Sequence, residues 1–410
     1  MKPPLKINAD RLNNRLLRMA TIGGLPSGGV KRLTLSQEDK AARNLFTEWL
    51  EELGLGVHVD EIGNMFGILE GKNKDEFIGI GSHLDSVPTG GKFDGPLGVL
   101  SALEVAQTIL DNKLELNHSL VVANYTNEEG VRFLPDMMGS LAHANPDQVH
   151  NYLKAQDSEG ISVNEALKEI GYKGTEKCGT INYKYFIEVH IEQGPILEQE
   201  KIDIGVVSRV QAIHWIKITI EGKSAHAGTT PLYARKDTFY ALSRLSNYSR
   251  ELCNQIENQL ITIGSVELSP NAINVVPEQV IATLDMRNPS DERLAEAIEQ
   301  IEKFMDIDES FVGLKVSKEV LVNIPAVTFD QKVVDIISKS ANQLGYASRK
   351  IFSGAGHDAQ ILATKYPAAM IFIPSKDGVS HAVDEYSSPE QIEKGANVLL
   401  HSILSLDQQL

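Results

Sequence analysis

Four short apolar stretches of the sequence each end in histidine or acidic residues. The stretches have the length and composition of buried strands, and they lie at residues 77–80, 119–125, 185–189 and 368–374. The residues that follow them are His83 and Asp94, Glu128 and Glu129, His190, and His381. Because sites in open α/β sheets gather at the carboxyl ends of strands, we expect these side chains to converge on one site.

The first stretch continues into a loop rich in glycine and proline, which reads GSHLDSVPTGGKFDGPLGV from residue 81 to 99. An apolar helical run and another strand follow, so that residues 77–125 form a βαβ unit and predict an α/β fold. In an extended segment His83 and Asp85 point the same way, and Asp85 is therefore predicted to hold His83 in one tautomer. The alternative is a glycine-rich turn with a hydrogen-bonded histidine.

A different pattern of elements occupies residues 209–326. It predicts a strand at 213–220, a helix at 236–256, strands at 260–268 and 280–287, a helix at 291–304 and a strand at 313–322. This βαββαβ order is the ferredoxin-like arrangement. A chain of 410 residues is too long for one compact core. We therefore predict one domain built from residues 1–208 and 327–410, with a second domain, 209–326, inserted into it.

The charge and cysteine content exclude several classes of protein. A formal net charge of -16 argues against nucleic acid or an anionic membrane surface as partner, since both need basic patches. Cys178 and Cys253 have no paired spacing, which excludes a thiolate metal cluster and fits a reducing compartment. The N-terminus has no signal-like apolar region, and no stretch approaches about 18 uninterrupted apolar residues. We expect a cytoplasmic protein.

Five residues of the ligand type and one additional acid predict a pair of metal ions. Imidazole and carboxylate groups suit zinc and related ions, and a carboxylate can bridge two of them. We assign His83 and His190 to one ion and Glu129 and His381 to the other. Asp94 is then expected to bridge the two ions.

Glu128 is predicted to be the general base. A water held between two ions has a lowered pKa and can serve as a hydroxide near neutral pH, but its proton still needs an acceptor. Of two adjacent acids on a turn, one can bind an ion while the other points elsewhere and shuttles the proton. The alternative for Glu128 and Glu129 is an exposed acidic pair.

Seven blocks of the sequence carry a resemblance to a known family. They read GSHLDSVPTGGKFDGPLGV, TNEEGVRF, HIEQGP, SAHAGTTP, PNAINVVP, SGAGHDA and PSKDGVSHAVDE. In this order they resemble the carbamoylase and allantoate amidohydrolase family, a branch of the superfamily of aminoacylases and metal-dependent carboxypeptidases. The match runs from about residue 10 to about residue 400. At His190, the peptidase relatives usually have an acidic residue.

The resemblance implies a di-metal, peptidase-like α/β catalytic domain, in which helices flank a mixed sheet. It also implies that the inserted ferredoxin-like domain is a lid that forms a homodimer interface. The same metal ligands and the same base follow from it, with two divalent ions per subunit, either zinc or manganese, cobalt or nickel. No ligand position departs from the family's pattern.

Several substrate-binding residues follow from the resemblance. Gln193 resembles the family's contact to the substrate amide. His226 matches a histidine that polarises the scissile carbonyl, often across the dimer. Asn274 and Arg287 match the pair that binds the substrate carboxylate, which a planar guanidinium fits well. The alternative for Arg287 is a structural ion pair with Asp285.

Two further residues, Gly354 and His357, are expected from the resemblance to line the pocket. The alternative for His357 is that it forms a loop-stabilising pair with Asp358. His214 lacks a matching block and is predicted to be structural.

The resemblance implies hydrolysis of a ureido (N-carbamoyl) amide to an amine, carbon dioxide and ammonia. N-carbamoyl-L-amino acids are the first expected substrates, because GGVKRLTLSQEDKAAR near the N-terminus resembles carbamoylases. Allantoate, 3-ureidopropionate and an unusual N-acyl amino acid are the alternatives. From another class, the protein could be a non-catalytic relative that binds a metal or ligand. A lost base or ligand would mark that case, and none is lost.

Overall fold

The computed structural model describes residues 4–408, which fold into two compact units. The first unit contains the chain up to Ser208 and from Thr328 onward, and the second is Arg209–Val327. The helices are α1 (Ala9–Ala20), α2 (Gln37–Glu52), α3 (Pro96–Asp111), α4 (Met138–Ala144), α5 (Val149–Tyr152), α6 (Val163–Ile170), α7 (Ile196–Gln199), α8 (Thr238–Gln255), α9 (Asp291–Ile307), α10 (Gln331–Gln343), α11 (Asp358–Leu362) and α12 (Pro389–Asp407).

The strands form three sheets within residues 4–408. They are β1 (Gly56–Val59), β2 (Met65–Leu69), β3 (Asn73–His83), β4 (His118–Tyr125), β5 (Tyr183–Ile191), β6 (Ile204–Val210), β7 (Ala212–Glu221), β8 (Ala225–His226), β9 (Leu260–Ser269), β10 (Val275–Val276), β11 (Gln279–Asn288), β12 (Lys315–Ile324), β13 (Val327–Thr328), β14 (Ser348–Ser353) and β15 (Ala368–Ile373).

The large sheet is mixed, with the order β1-β2-β4-β3-β5-β15-β6-β13, and β14 pairs with β6. Its centre is formed by β4, β3, β5 and β15, which are consecutive neighbours and run parallel. These are the four strands that the sequence predicts, so the prediction of a mixed α/β sheet is confirmed. Because the four strands are parallel neighbours, their carboxyl ends lie along one edge of the sheet.

The central strands of the large sheet are buried because helices pack against them. Helix α3 packs on β3, β4 and β5, and its outer side is covered by α1 and α12. This explains why α3 is apolar almost all round rather than amphipathic. No helix in residues 4–408 is long and apolar enough to cross a membrane.

The second unit is an antiparallel sheet with the strand order β12-β7-β11-β9, and α8 and α9 pack against it. Along the chain these elements follow one another as βαββαβ, the order that the sequence predicts. The alternating residues Ile216, Ile218 and Ile220 of β7 are buried, and they form the core together with residues of α8 and α9. The apolar period of two therefore specifies which face of β7 is covered.

Residues 136–182 are a region with few regular sequence patterns. Its helices α4, α5 and α6 surround a small core of their own. That core includes Met138, Ala142, Val149, Val163, Leu167 and Ile170, with Phe133 and Ile62. Helix α6 begins with a capping box, in which Ser162 and Glu165 exchange hydrogen bonds.

Arg43 forms a buried ion pair within α2 and fastens this helix to the turn that follows β4. Nε of Arg43 lies 2.8 Å from the carboxylate of Asp39, and both side chains are almost fully buried. The same guanidinium donates to the carbonyl of Gly63 at 2.6 Å and to Oγ1 of Thr126 at 3.2 Å. Arg43 therefore connects α2 to the segment that carries Glu128.

We expect the substitution Arg43→Met to lower the free energy of unfolding by about 3–5 kcal/mol, because it leaves the Asp39 carboxylate buried and uncompensated. Urea unfolding measures the loss. Lys72→Met is the control, since Lys72 and Glu115 form an exposed pair, which contributes about 0–1 kcal/mol. Equal losses in the two variants would contradict the assignment.

Candidate metal centre

The carboxyl edge of the large sheet brings the predicted ligands into two groups. His83 ends β3, His190 lies near the end of β5, and the other ligands lie in the loops that follow β3, β4 and β15. Potential ligand atoms lie within 4.8 Å of one another in each group; one contains His83, Asp94 and His190, and the other contains Asp94, Glu129 and His381. Asp94 belongs to both groups.

The two oxygens of the Asp94 carboxylate face different groups. Oδ1 lies 3.2 Å from Nε2 of His190 and 3.7 Å from Nε2 of His83. Oδ2 lies 3.4 Å from Nε2 of His381, which is itself 3.5 Å from the carboxylate of Glu129. A carboxylate that offers one oxygen to each of two ligand sets has the geometry of a bridge between two ions.

The hydrogen bonds of the two buried histidines show that these residues fit a cation. Nδ1 of His83 donates to the carbonyl of Asp85 at 3.0 Å, and Nδ1 of His190 donates to the carbonyl of Ile191 at 3.0 Å. Each Nε2 is buried without a hydrogen-bond partner. In the neutral ring Nε2 then carries a lone pair, which here faces the oxygen of Asp94. Two facing acceptors need a cation between them, which is either a proton on Nε2 or a metal ion.

The acidic residues around this point also require positive charge. Burial raises the pKa of Glu128 well above its ordinary value, and the charges of Asp358, Glu129 and Asp94 add to the rise while His83 opposes it. Burial, reinforced by Asp94, raises the pKa of Glu129 to about 7. A bound cation would favour the charged form of each carboxylate and remove this penalty.

For Asp94, burial raises the pKa, but the neighbouring His190, His381 and His83 together hold it well below its usual range. The carboxylate between the two ligand groups is thus strongly stabilised in its charged form. Positive charge beside this buried carboxylate, either on the histidine rings or on a cation bound by neutral rings, keeps it ionised.

Three non-glycine residues beside the site have left-handed backbone conformations. The φ angles are 59° for Asn127, 57° for Gln193 and 53° for His381. Asn127 is held by bonds from its amide nitrogen to the carbonyls of Phe133 and Pro135. Such conformations cost about 1–3 kcal/mol each and cluster where surrounding structure enforces a functional geometry.

The predicted role of Asp85 needs a correction. Its backbone carbonyl, not its carboxylate, accepts the 3.0 Å hydrogen bond that fixes the tautomer of His83, and its carboxylate oxygen lies 3.6 Å from the same nitrogen. The carboxylate instead accepts from the backbone N–H groups of Glu128 and Glu129, each at 3.3 Å. Asp85 therefore orients the turn that carries both glutamates, because its two carboxylate oxygens accept hydrogen bonds from the two backbone N–H groups of that turn.

Sequence reasoning did not identify Glu385, which holds the loop of Asp94. Its carboxylate accepts from the backbone N–H groups of Phe93 at 3.0 Å and Asp94 at 3.1 Å, and from the hydroxyl of Ser380 at 3.1 Å. A Cβ at Gly91 would lie 2.0 Å from this carboxyl group, so only glycine lets it approach. Its sequence signals were its position four residues after His381 and its place at the end of the block PSKDGVSHAVDE.

Gln193, predicted to contact the substrate amide, is anchored at the candidate metal centre. Its backbone N–H donates to Oγ of Ser375 at 3.0 Å, and its side-chain nitrogen donates to Oδ2 of Asp94 at 2.8 Å. The side-chain oxygen is buried without a hydrogen-bond partner. The amide is therefore oriented with an acceptor available for a further donor.

His357, predicted to line the pocket, is almost completely buried behind His190. The ring centroids of the two histidines are 4.5 Å apart, and Nε2 of His357 lies 2.9 Å from Oγ of Ser353. These contacts place His357 against His190, and its side-chain partner is Ser353 rather than Asp358, so they do not show the loop-stabilising pair with Asp358. Gly354 follows β14 directly, next to Ser353.

The remaining predicted residues lie in the second unit. His226 in β8 pairs with Val275 in β10, and the N–H of Ala227 donates to the carbonyl of Asn274 at 3.0 Å. On β11, Nε of Arg287 donates to both carboxylate oxygens of Asp285, at 2.9 and 3.0 Å. The ion pair that the sequence offered as an alternative for Arg287 is therefore present.

His214, predicted to be structural, lies on β7 in the second unit. Its Nδ1 is 3.0 Å from the side-chain oxygen of Asn323, which is on the neighbouring strand β12. The contact ties two adjacent strands of the sheet together. It gives this histidine a structural partner.

Comparison with known proteins relates the chain to hydrolases over nearly its whole length. The family described as peptidase family M20/M25/M40 matches residues 79–405. The N-carbamoyl-L-amino-acid amidohydrolase of Rhizobium meliloti is 40% identical over 403 residues, which cover 97% of this chain and 96% of that protein. The allantoate amidohydrolase of Bacillus subtilis (strain 168) is 31% identical over 392 residues, covering 95% of each.

A solved structure with the same fold is the amidase of the hydantoinase/carbamoylase family from Burkholderia multivorans. It matches with a TM-score of 0.95 and 40% sequence identity, and the match covers 98% of each chain. The architecture described above is therefore shared with this amidase.

Proposed function

The chain belongs to peptidase family M20/M25/M40 and is an amide hydrolase, and from this premise we propose that it hydrolyses N-carbamoyl-L-amino acids. Cleavage of the ureido amide gives the amino acid, carbon dioxide and ammonia. The observation that carries the proposal is the pair of ligand groups sharing Asp94, with Glu128 beside them, in a chain that aligns end to end with a carbamoylase.

The proposed metal centre contains two divalent ions per subunit. His83 and His190 would hold one ion, Glu129 and His381 the other, and Asp94 both. When bound, such ions polarise a carbonyl oxygen and lower the pKa of a water. Nitrogen and oxygen ligands of this kind accept zinc, manganese, cobalt or nickel, and availability decides among them.

In the proposed mechanism, Glu128 accepts the proton of the attacking water and delivers it to the leaving nitrogen. Its carboxylate lies 3.5 Å from Nε2 of His83, so it borders the ligand groups without belonging to either. Burial raises its pKa, which increases its ability to retain a proton between the two steps. The oxygen of Gln193 is proposed to accept a hydrogen bond from an N–H of the ureido group.

His226 is proposed to stabilise the developing oxyanion. Its Nδ1 accepts hydrogen bonds from the backbone N–H groups of Gly228 at 3.0 Å and Thr229 at 3.2 Å. Backbone N–H groups only donate, so a neutral His226 carries its proton on Nε2. That N–H is the donor that an oxyanion needs.

We further propose a homodimer formed through the second unit, with His226 of each subunit serving the site of the other. Strongly exposed apolar side chains of that unit, including Leu232, Tyr233 and Val320, support an interface there. A verified monomer with full turnover would contradict this exchange.

A cytoplasmic location is proposed because both cysteines are free.

Arg287, with Asn274, is proposed to bind the substrate carboxylate. We expect Arg287→Gln to raise KM for N-carbamoyl amino acids by about 10- to 100-fold, with a smaller effect on kcat, since a charge-assisted hydrogen bond contributes about 1.5–3 kcal/mol. Steady-state kinetics measure the change. Arg293→Gln is the control, because Arg293 pairs with Glu257 on the surface of the same unit. A rise in KM that is equally large with a substrate lacking a carboxylate would contradict the assignment.

The first test of the function is ammonia release by metal-reconstituted enzyme. N-carbamoyl-L-methionine, N-carbamoyl-β-alanine and allantoate are offered in parallel, and we expect the first to be preferred. A preference for allantoate would support the second candidate function, which rests on the similarity to the Bacillus subtilis enzyme. Preference for the β-alanine derivative would identify a 3-ureidopropionate hydrolase. If metal is bound and none of the three compounds gives ammonia, the proposed reaction is contradicted.

A further inference from the structure

Arg235 binds both ends of the loop that carries His226. Its Nε donates to the carbonyl of Thr230 at 2.9 Å, and its terminal nitrogen donates to the carbonyl of Ala227 at 2.7 Å. The planar guanidinium binds two carbonyl oxygens of the loop, as it would bind the two oxygens of a carboxylate, through two hydrogen bonds of fixed direction. No aspect of the proposed chemistry requires an arginine here.

The contact with Ala227 acts directly on the environment of the histidine ring. The carbonyl of Ala227 and the N–H of Gly228 belong to one peptide group, which is planar, and in a trans peptide they point in opposite directions. Arg235 holds the carbonyl end of this group, and the N–H end donates to Nδ1 of His226. Rotation of the peptide plane would break both hydrogen bonds together.

The rest of the loop is consistent with a single rigid arrangement. The N–H of Thr229 also donates to Nδ1, and the N–H of Thr230 donates to the carbonyl of His226 at 3.1 Å. His226 itself is exposed in the second unit. An exposed ring has little packing to select its orientation, so its backbone partners decide it.

We propose that Arg235 is a positioning residue that keeps His226 in the Nε2–H tautomer, ready to donate a hydrogen bond to the oxyanion. The proposal rests on the proposed function, since it assigns the tautomer a use. Without the guanidinium, the peptide of Ala227 and Gly228 turns, and Nδ1 loses the shorter of the two hydrogen bonds that disfavour its own protonation, leaving only the one from Thr229. The ring then populates both tautomers.

The test uses the full-length enzyme labelled with ¹⁵N in its histidines. His226→Asn identifies the signal of His226, and long-range ¹H–¹⁵N spectra report its tautomer. We expect the Nε2–H form alone in the parent protein and a mixture in Arg235→Met. The same variant should lose about 10- to 100-fold in kcat with little change in KM, as expected when a preorganised donor is disturbed. Arg235→Lys, which can still donate to one carbonyl, should recover part of both properties.

Arg244→Met is the matched control, since Arg244 pairs with Asp308 on the surface of the same unit, and it should change neither property. An unaltered tautomer in Arg235→Met overturns the proposal, whatever the activity. A tautomer that changes while kcat stays constant also overturns it. If His226→Asn itself retains full activity, the proposed role of His226 fails, and the spectra still decide separately whether Arg235 sets the tautomer.

Discussion

Replacement of Glu128 by glutamine is expected to lower kcat by about 10²- to 10⁴-fold, the usual contribution of a general acid–base group, while two ions per subunit remain bound. Glutamine has the size of glutamate but cannot accept the proton of the attacking water. Glu128 lies outside both ligand groups, so its loss should not remove an ion. Steady-state kinetics and metal analysis of the same preparation measure the two quantities.

Two further variants separate the base from its neighbours. Glu129→Gln should lose activity together with metal content, because Glu129 belongs to the group with Asp94 and His381. Glu159→Gln should change neither property, since Glu159 is exposed and outside the site. Normal activity in Glu128→Gln would show that the proton has another acceptor. Loss of one ion in that variant would instead make Glu128 a ligand.

The convergence of the predicted ligand residues was predictable because it follows from strand order. His83 and His190 lie at the ends of apolar runs that have the length of buried strands, and parallel strands place such ends at one edge. The alternation in β7 likewise specified its buried face, with Ile216 and Ile218 inward. These features depend on the local spacing of apolar residues, which can be recognised in the sequence itself.

The contacts that orient the ligands were not predictable, since they join distant parts of the chain. Glu385 holds the N–H of Phe93 across 292 positions of sequence, and only the folded loop brings them together. For Asp85 the correct strand direction still gave the wrong atom, because the backbone of Glu128 and Glu129 competes for its carboxylate. The sequence patterns also did not predict helix α12, although its packing on α3 helps to bury that helix.

Asp94 is the residue on which both proposed ions depend. We expect Asp94→Asn to bind at most one ion and to lose about 10³-fold or more in kcat, since metal assistance supplies several kcal/mol of transition-state stabilisation. The amide has the size of the carboxylate but no charge. Its NH₂ group can also donate to Nε2 of His190, 3.2 Å from the present oxygen, and so occupy the lone pair that an ion needs.

Ion binding is measured without reference to activity by the rise in thermal midpoint when manganese or zinc is added to chelated protein. An ion that binds the folded state stabilises it by an amount set by its affinity. This rise should be large in the parent protein and strongly reduced in Asp94→Asn, while Asp335→Asn, which alters an exposed acid on α10, should retain it. Two ions bound with undiminished affinity in Asp94→Asn would exclude a bridging role, because a neutral amide cannot replace a carboxylate shared by two cations.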